Sequence, residues 1–148
     1  MTIQVQRPIP KSLWVALPAV LLTVSDAALT LVFQPPSYWA GDFASAAEYS
    51  PIGAAFLHIH PIAFAAWMTL WACLIVVVSL FLREPWNRVW ALMIAIGHTA
   101  GTFDWLEDLN YMGALLIFFV TALLTVFSWK KADALPEAAA PTITRSRA

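Results

Sequence analysis

A chain of 148 residues that is 61% hydrophobic and 11% charged cannot present the polar surface of a soluble domain, where about 25% charge is usual. Its mean hydropathy of +0.73 makes lipid the solvent for most of it. A net charge of −1 leaves no basic stripe for a nucleic-acid partner, and the single cysteine, Cys73, excludes an internal disulfide and any CxxC zinc pattern.

The expected fold is all-α: an integral membrane bundle of four transmembrane helices formed by residues 1–131. A bilayer core needs roughly 20 apolar residues per span. Four stretches supply them, at about 12–33, 61–82, 86–106 and 111–129. The first contains Pro18, which is expected to bend it below Asp26. A cleaved leader ending near Ser25-Asp26-Ala27 is a competing reading, but the apolar run continues to Phe33 and completes a span. An outer loop, 34–50, follows with Pro35-Pro36, Trp39 and Tyr49, and its aromatics suggest that it packs over the bundle mouth. Apolar sequence resumes at Ile52, too early for one straight span, and Pro61 supplies a break. Residues 51–60 therefore read as a separate interfacial segment. Thr69, Ser79, Thr121, Thr125 and Ser128 are expected to bond back to carbonyls of their own helices. Trp67 and Trp71 share one helix face and read as packing or lipid contact. Residues 132–148, rich in Ala, Pro and Thr, read as a disordered cytoplasmic tail.

In this topology all eight basic residues fall on one side: Arg7, Lys11, Arg83, Arg88, Lys130, Lys131, Arg145 and Arg147. The outer connections carry Asp42, Glu48, Asp104, Glu107 and Asp108 and no Lys or Arg. The positive-inside rule then puts both termini in the cytoplasm of a multi-pass cell-membrane protein, of the bacterial inner-membrane kind.

Ionisable groups inside a membrane are functional hypotheses by default. Asp26 and His98 each lie eight residues before an outer boundary, so both sit roughly 12 Å deep. Thr30 and Thr102 lie one helical turn further out on the same two faces and are expected to flank a ligand there. His58 and His60 stand at the start of the second span, two apart, so at most one turns into the bundle. Such a set suits a transition metal, zinc, iron or copper, held by Asp26, His98 and one of His58 or His60. Glu48 or Asp104 would add a ligand or a general base, and an open metal position would support metal-assisted hydrolysis of a lipid-side substrate. Two alternatives stand beside it. Histidines on two helices can hold haem b in a haem-carrying or quinone-adjacent anchor of an electron-transfer complex. Asp26 and His98 can also simply bond each other in a structural subunit recruited by a membrane-protein partner or a second copy.

Asp26-Ala27-Ala28-Leu29-Thr30 together with Glu48-Tyr49-Ser50-Pro51 resembles the D-x-x-x-T and E-x-N-P pattern of a family of uncharacterised small multi-span bacterial membrane proteins. The resemblance covers about residues 20–80, with Ser50 where that pattern has Asn. It implies that Asp26, Thr30, Glu48 and Pro51 belong to one site and implies no activity.

Overall fold

The computed structural model describes residues 10–105 and 111–135. Residues 1–9, 106–110 and 136–148 lie outside the described residues, and with them Arg7, Glu107, Asp108 and nearly all of the expected tail. The chain is all-α, with no strand among the described residues. Its helices are α1 (Lys11–Val32), α2 (Pro36–Trp39), α3 (Pro51–Ile59), α4 (Pro61–Phe81), α5 (Trp86–Asp104) and α6 (Tyr111–Asp133), with a single 3-10 turn over Phe43–Ser45.

The boundaries follow from local chemistry. Proline opens α2, α3 and α4 at their first residue, where its missing N–H costs nothing. Ser50 caps α3 by accepting from the Gly53 N–H at 3.2 Å. His60, in extended backbone, ends α3 and caps α4, its Nδ1 accepting from the Ile62 N–H at 3.1 Å. Pro61 has no N–H to continue the α3 ladder, so the two helices part there.

Among the described residues three helices are long and apolar enough to cross a membrane: α1, α4 and the Leu115–Asp133 part of α6. The expectation of four such spans is corrected to three. Helix α5 has the length, at 19 residues, but Asn87, Arg88, His98, Thr99, Thr102 and Asp104 dilute its apolarity. Asn87, Thr99 and Thr102 are nevertheless buried. These three are turned inward, whereas Asp104, the last residue of α5, is exposed.

Helix α1 is the hub, packing against α4, α5 and α6, while α4 and α5 touch each other far less. Small residues permit this. Ala16 and Ala19 of α1 and Ala91 and Ala95 of α5 are all buried, letting backbones approach closely. Pro18 cannot donate to the Trp14 carbonyl one turn back, and the Ser128 hydroxyl of α6 donates to that carbonyl instead. Ser128 thus departs from the expected back-bond within its own helix, which Thr69, Ser79 and Thr125 do make. The Trp129 indole N–H reaches the Val15 carbonyl at 3.4 Å. Arg88 lies over the Trp129 ring, 5.4 Å from its centroid, and pairs with Asp133 and Glu84.

Two apolar clusters result. One, around Val15, Ala19, Ile75, Ala91 and Ala132, fills the end of the bundle that carries Lys11 and Lys130. The other, around Tyr38, Leu57 and Phe64, seats the 34–50 loop and α3 against α1 and α4.

Enlarging a residue in the first cluster forces helices apart. Ala19→Leu should lower stability by about 1–3 kcal/mol, whereas Ala122→Leu, on the exposed side of α6, should change little. Thermal unfolding in detergent of both variants beside wild type checks this.

Candidate functional site

Between the two clusters lies a cavity of about 450 Å³, walled by α1, α4 and α5 and roofed by residues 48–53. It is assembled around one polar chain. Nδ1 of His98 on α5 meets Oδ2 of Asp26 on α1 at 2.8 Å, and Nε1 of Trp71 on α4 donates to Nε2 of His98 at 3.1 Å. An indole N–H only donates, so Nε2 carries no proton. Nδ1 then carries it and donates to Asp26. The network fixes a neutral imidazole in one tautomer, facing a carboxylate. Both side chains are 16% exposed.

Gly101 makes this contact possible. A Cβ there would lie 2.8 Å and 2.9 Å from the two Asp26 oxygens. Asp26 therefore rests directly against the α5 backbone at Gly101. Gly97, one turn earlier, also lines the cavity, yet a Cβ there would meet nothing within 4 Å.

Glu48 is placed from the loop side. The Gln34 side chain donates to the Thr30 and Ala47 carbonyls, both at 2.8 Å, and accepts from the Ala47 N–H at 2.9 Å. This amide fixes the backbone just before Glu48. The Glu48 carboxylate then accepts from the Ser50 N–H at 2.7 Å. Gly53 accommodates its stem, since a Cβ there would come within 3.0 Å of Glu48 Cγ. Burial pushes the Glu48 carboxyl up, and the nearby carboxylates of Asp26 and Asp104 add to this. The Ser50 N–H and Thr30 act in the opposite direction.

The expected residues divide cleanly. Asp26, Thr30, Glu48, His98 and Asp104 all line the cavity. Pro51 opens α3 next to it. Thr102 does not line it; it is buried elsewhere, and its hydroxyl has no hydrogen-bond partner among the described residues. His58 and His60 are exposed and do not line it either. His60 is occupied as a helix cap and packs edge-on against Phe43, 5.2 Å between centroids. The proposed ligand set of Asp26, His98 and His58 or His60 is therefore not assembled. Among the described residues no three His, Cys, Asp or Glu side chains converge as a metal site requires. A two-histidine haem site meets the same obstacle, and His98 already uses both ring nitrogens.

Trp71 is the site residue that sequence spacing misses. It stacks with Trp67 at 6.5 Å and 17°, and Phe56 stacks on Trp67 at 4.9 Å and 8°. Trp71 lies ten residues into α4 and so about 15 Å from its start, close to the depth assigned to Asp26 and His98. Depth would have flagged it. Trp105, stacked on Phe33 at 6.4 Å, also lines the cavity.

Two measurements test this geometry. Gly101→Ala should displace Asp26 from His98 and destabilise by about 1–3 kcal/mol, the scale of a lost interhelical bond plus a poorly paired carboxylate. Gly97→Ala should instead stabilise by up to about 1 kcal/mol through helix propensity. Thermal unfolding of the two single variants reads the opposite signs. The second concerns pH. The folded state binds a proton at Glu48 more tightly than the unfolded chain, whose value is 4.5. Its contribution to stability is present below pH 4.5 and is lost as pH rises through the higher folded value. Wild type minus Glu48→Gln, melted across pH, should show that fall, because Gln still accepts from Ser50 without titrating.

No family model, curated protein or solved structure matches this chain, so what the site does is read from its own geometry.

Proposed function

We propose that this chain is a multi-pass membrane protein that binds a small amphiphilic molecule in the cavity between α1, α4 and α5. In this reading α5 is the fourth span, its polar side chains shielded by α1, and both termini face the cytoplasm. The support for that orientation is the basic set Lys11, Arg83, Arg88, Lys130 and Lys131 at one end, opposite Glu48 and Asp104.

The observation that carries the binding role is the cavity itself. Its volume falls inside the range of about 300–1,000 Å³ usual for small-molecule sites. Phe64, Met68, Met93 and Ile94 give it an apolar body, and a few polar groups from α1, α5 and the roof are set into it. That is the make-up of a ligand pocket rather than of a packing defect, which would be apolar throughout. The Trp71–His98–Asp26 chain holds its polar groups rigid, and rigid placement lowers the ordering cost of binding.

Gly97 offers the test, because it lines the cavity and a Cβ there meets nothing within 4 Å, so a larger side chain can be introduced at that point of the wall. A neutral probe serves: an undecyl chain with a dansyl group at one end and a hydroxyl at the other. Wild type in neutral detergent should transfer energy from Trp67, Trp71 and Trp105 to the dansyl group. Gly97→Phe should abolish the saturable part, with helicity and melting retained, and Met93→Trp, a second filling variant, should weaken it. Absence of saturable transfer in wild type, or its persistence in both variants, would overturn the reading.

A further inference from the structure

We propose that the ligand of this cavity is an organic cation, an ammonium group carried on an apolar body. This rests on the binding role above and adds the chemistry of what is bound.

The hydrogen-bond network sets the charge. Because Trp71 occupies Nε2 of His98 as a donor, the imidazole is neutral and supplies Asp26 with a hydrogen bond but no positive charge. Glu48 and Asp104 add two more carboxylates to the lining, and no Lys or Arg is among the residues that line it. The cavity is therefore one-signed, in surroundings where low-dielectric walls concentrate the field of each charge. An anionic amphiphile would meet three acidic side chains and no basic one there. A cation would relieve them.

The walls decide which cation. Trp67, Trp71 and Trp105 all line the cavity, Trp67 and Trp71 nearly parallel along α4, with Phe56 stacked on Trp67 and Phe33 on Trp105. Indole faces attract cations through the ring quadrupole, most strongly where water is excluded. A compact metal ion would need several converging ligand atoms, and no such group of three occurs among the described residues. An ammonium group needs no inner coordination sphere. It can lie between indole faces and carboxylates while its apolar portion contacts Phe64, Met68 and Met93.

The experiment extends the dansyl-undecyl probe to three head groups: hydroxyl, carboxylate and trimethylammonium. Each is titrated into the full-length protein in neutral detergent, and affinity is taken from the signal that Gly97→Phe removes. The ammonium probe should bind about tenfold or more tightly than the hydroxyl probe, as cation–π and carboxylate contacts together allow. The carboxylate probe should bind weakest. In Glu48→Gln/Asp104→Asn the gap between ammonium and hydroxyl probes should narrow several-fold. Equal or weaker binding of the ammonium probe overturns the cation inference while leaving a binding cavity intact. So does a preference that survives the double variant. If no head group gives a signal sensitive to Gly97→Phe, the binding role itself fails.

Discussion

A carboxylate near the middle of an apolar helix is the constraint around which this protein is arranged. An unpaired acid at such a depth costs about 2.5–3.5 kcal/mol even on permissive insertion scales, while an interhelical hydrogen bond contributes only about 0.6–2 kcal/mol. Asp26 is therefore tolerated by close approach of a second helix rather than by one strong contact. Gly101 admits the carboxylate to the α5 backbone, His98 donates to it, and Trp71 holds His98 in the donating tautomer. Drawing α5 against α1 in this way leaves α4 in lesser contact with α5. The cavity occupies that difference.

Much of this was legible in the chain. Equal distance from a boundary placed Asp26 and His98 at one depth, and fourfold spacing put Thr30 on the Asp26 face, where the structure has it lining the same cavity. Depth and face are properties of one helix and can be read from one segment. Azimuth between helices cannot, and the misses are of that kind. Thr102 shares the His98 stripe, but α5 is rotated so that His98 sits between α1 and α4 while Thr102 is buried away from the cavity. His58 and His60 lie close to the site in sequence logic, yet the break at Pro61 leaves one exposed and uses the other as a cap. The apolarity of α5 was overestimated because its length and its terminal Trp86 and Trp105 resemble those of a span, whereas its interior polar residues mark it as the shielded member of the set.

Gln34 illustrates a different limit. In sequence it marks only where an apolar run stops. In the folded chain its amide joins the end of α1 to the backbone at Ala47 and so determines where Glu48 stands. A side-chain amide pairing with backbone thirteen residues away leaves no periodic trace, and neither does the need for Gly53 beside the Glu48 stem. Loop-borne site residues are placed by such one-off contacts, while helix-borne ones are placed by repeat geometry.

The Pro18 gap in α1 has a mechanical meaning. The donors that fill it and its neighbour come from Ser128 and Trp129, and Ala132 is the buried apolar residue of α6 in the adjoining cluster. From Leu115 to Phe127 the large apolar side chains of α6 are predominantly exposed. The polar contacts that tie α6 to α1 are thus concentrated near its Lys130 end. A load passed from α6 through these bonds reaches α1 at Trp14 and Val15, about three turns away from Asp26. Those turns of helix therefore separate the point where α6 grips α1 from the wall of the cavity.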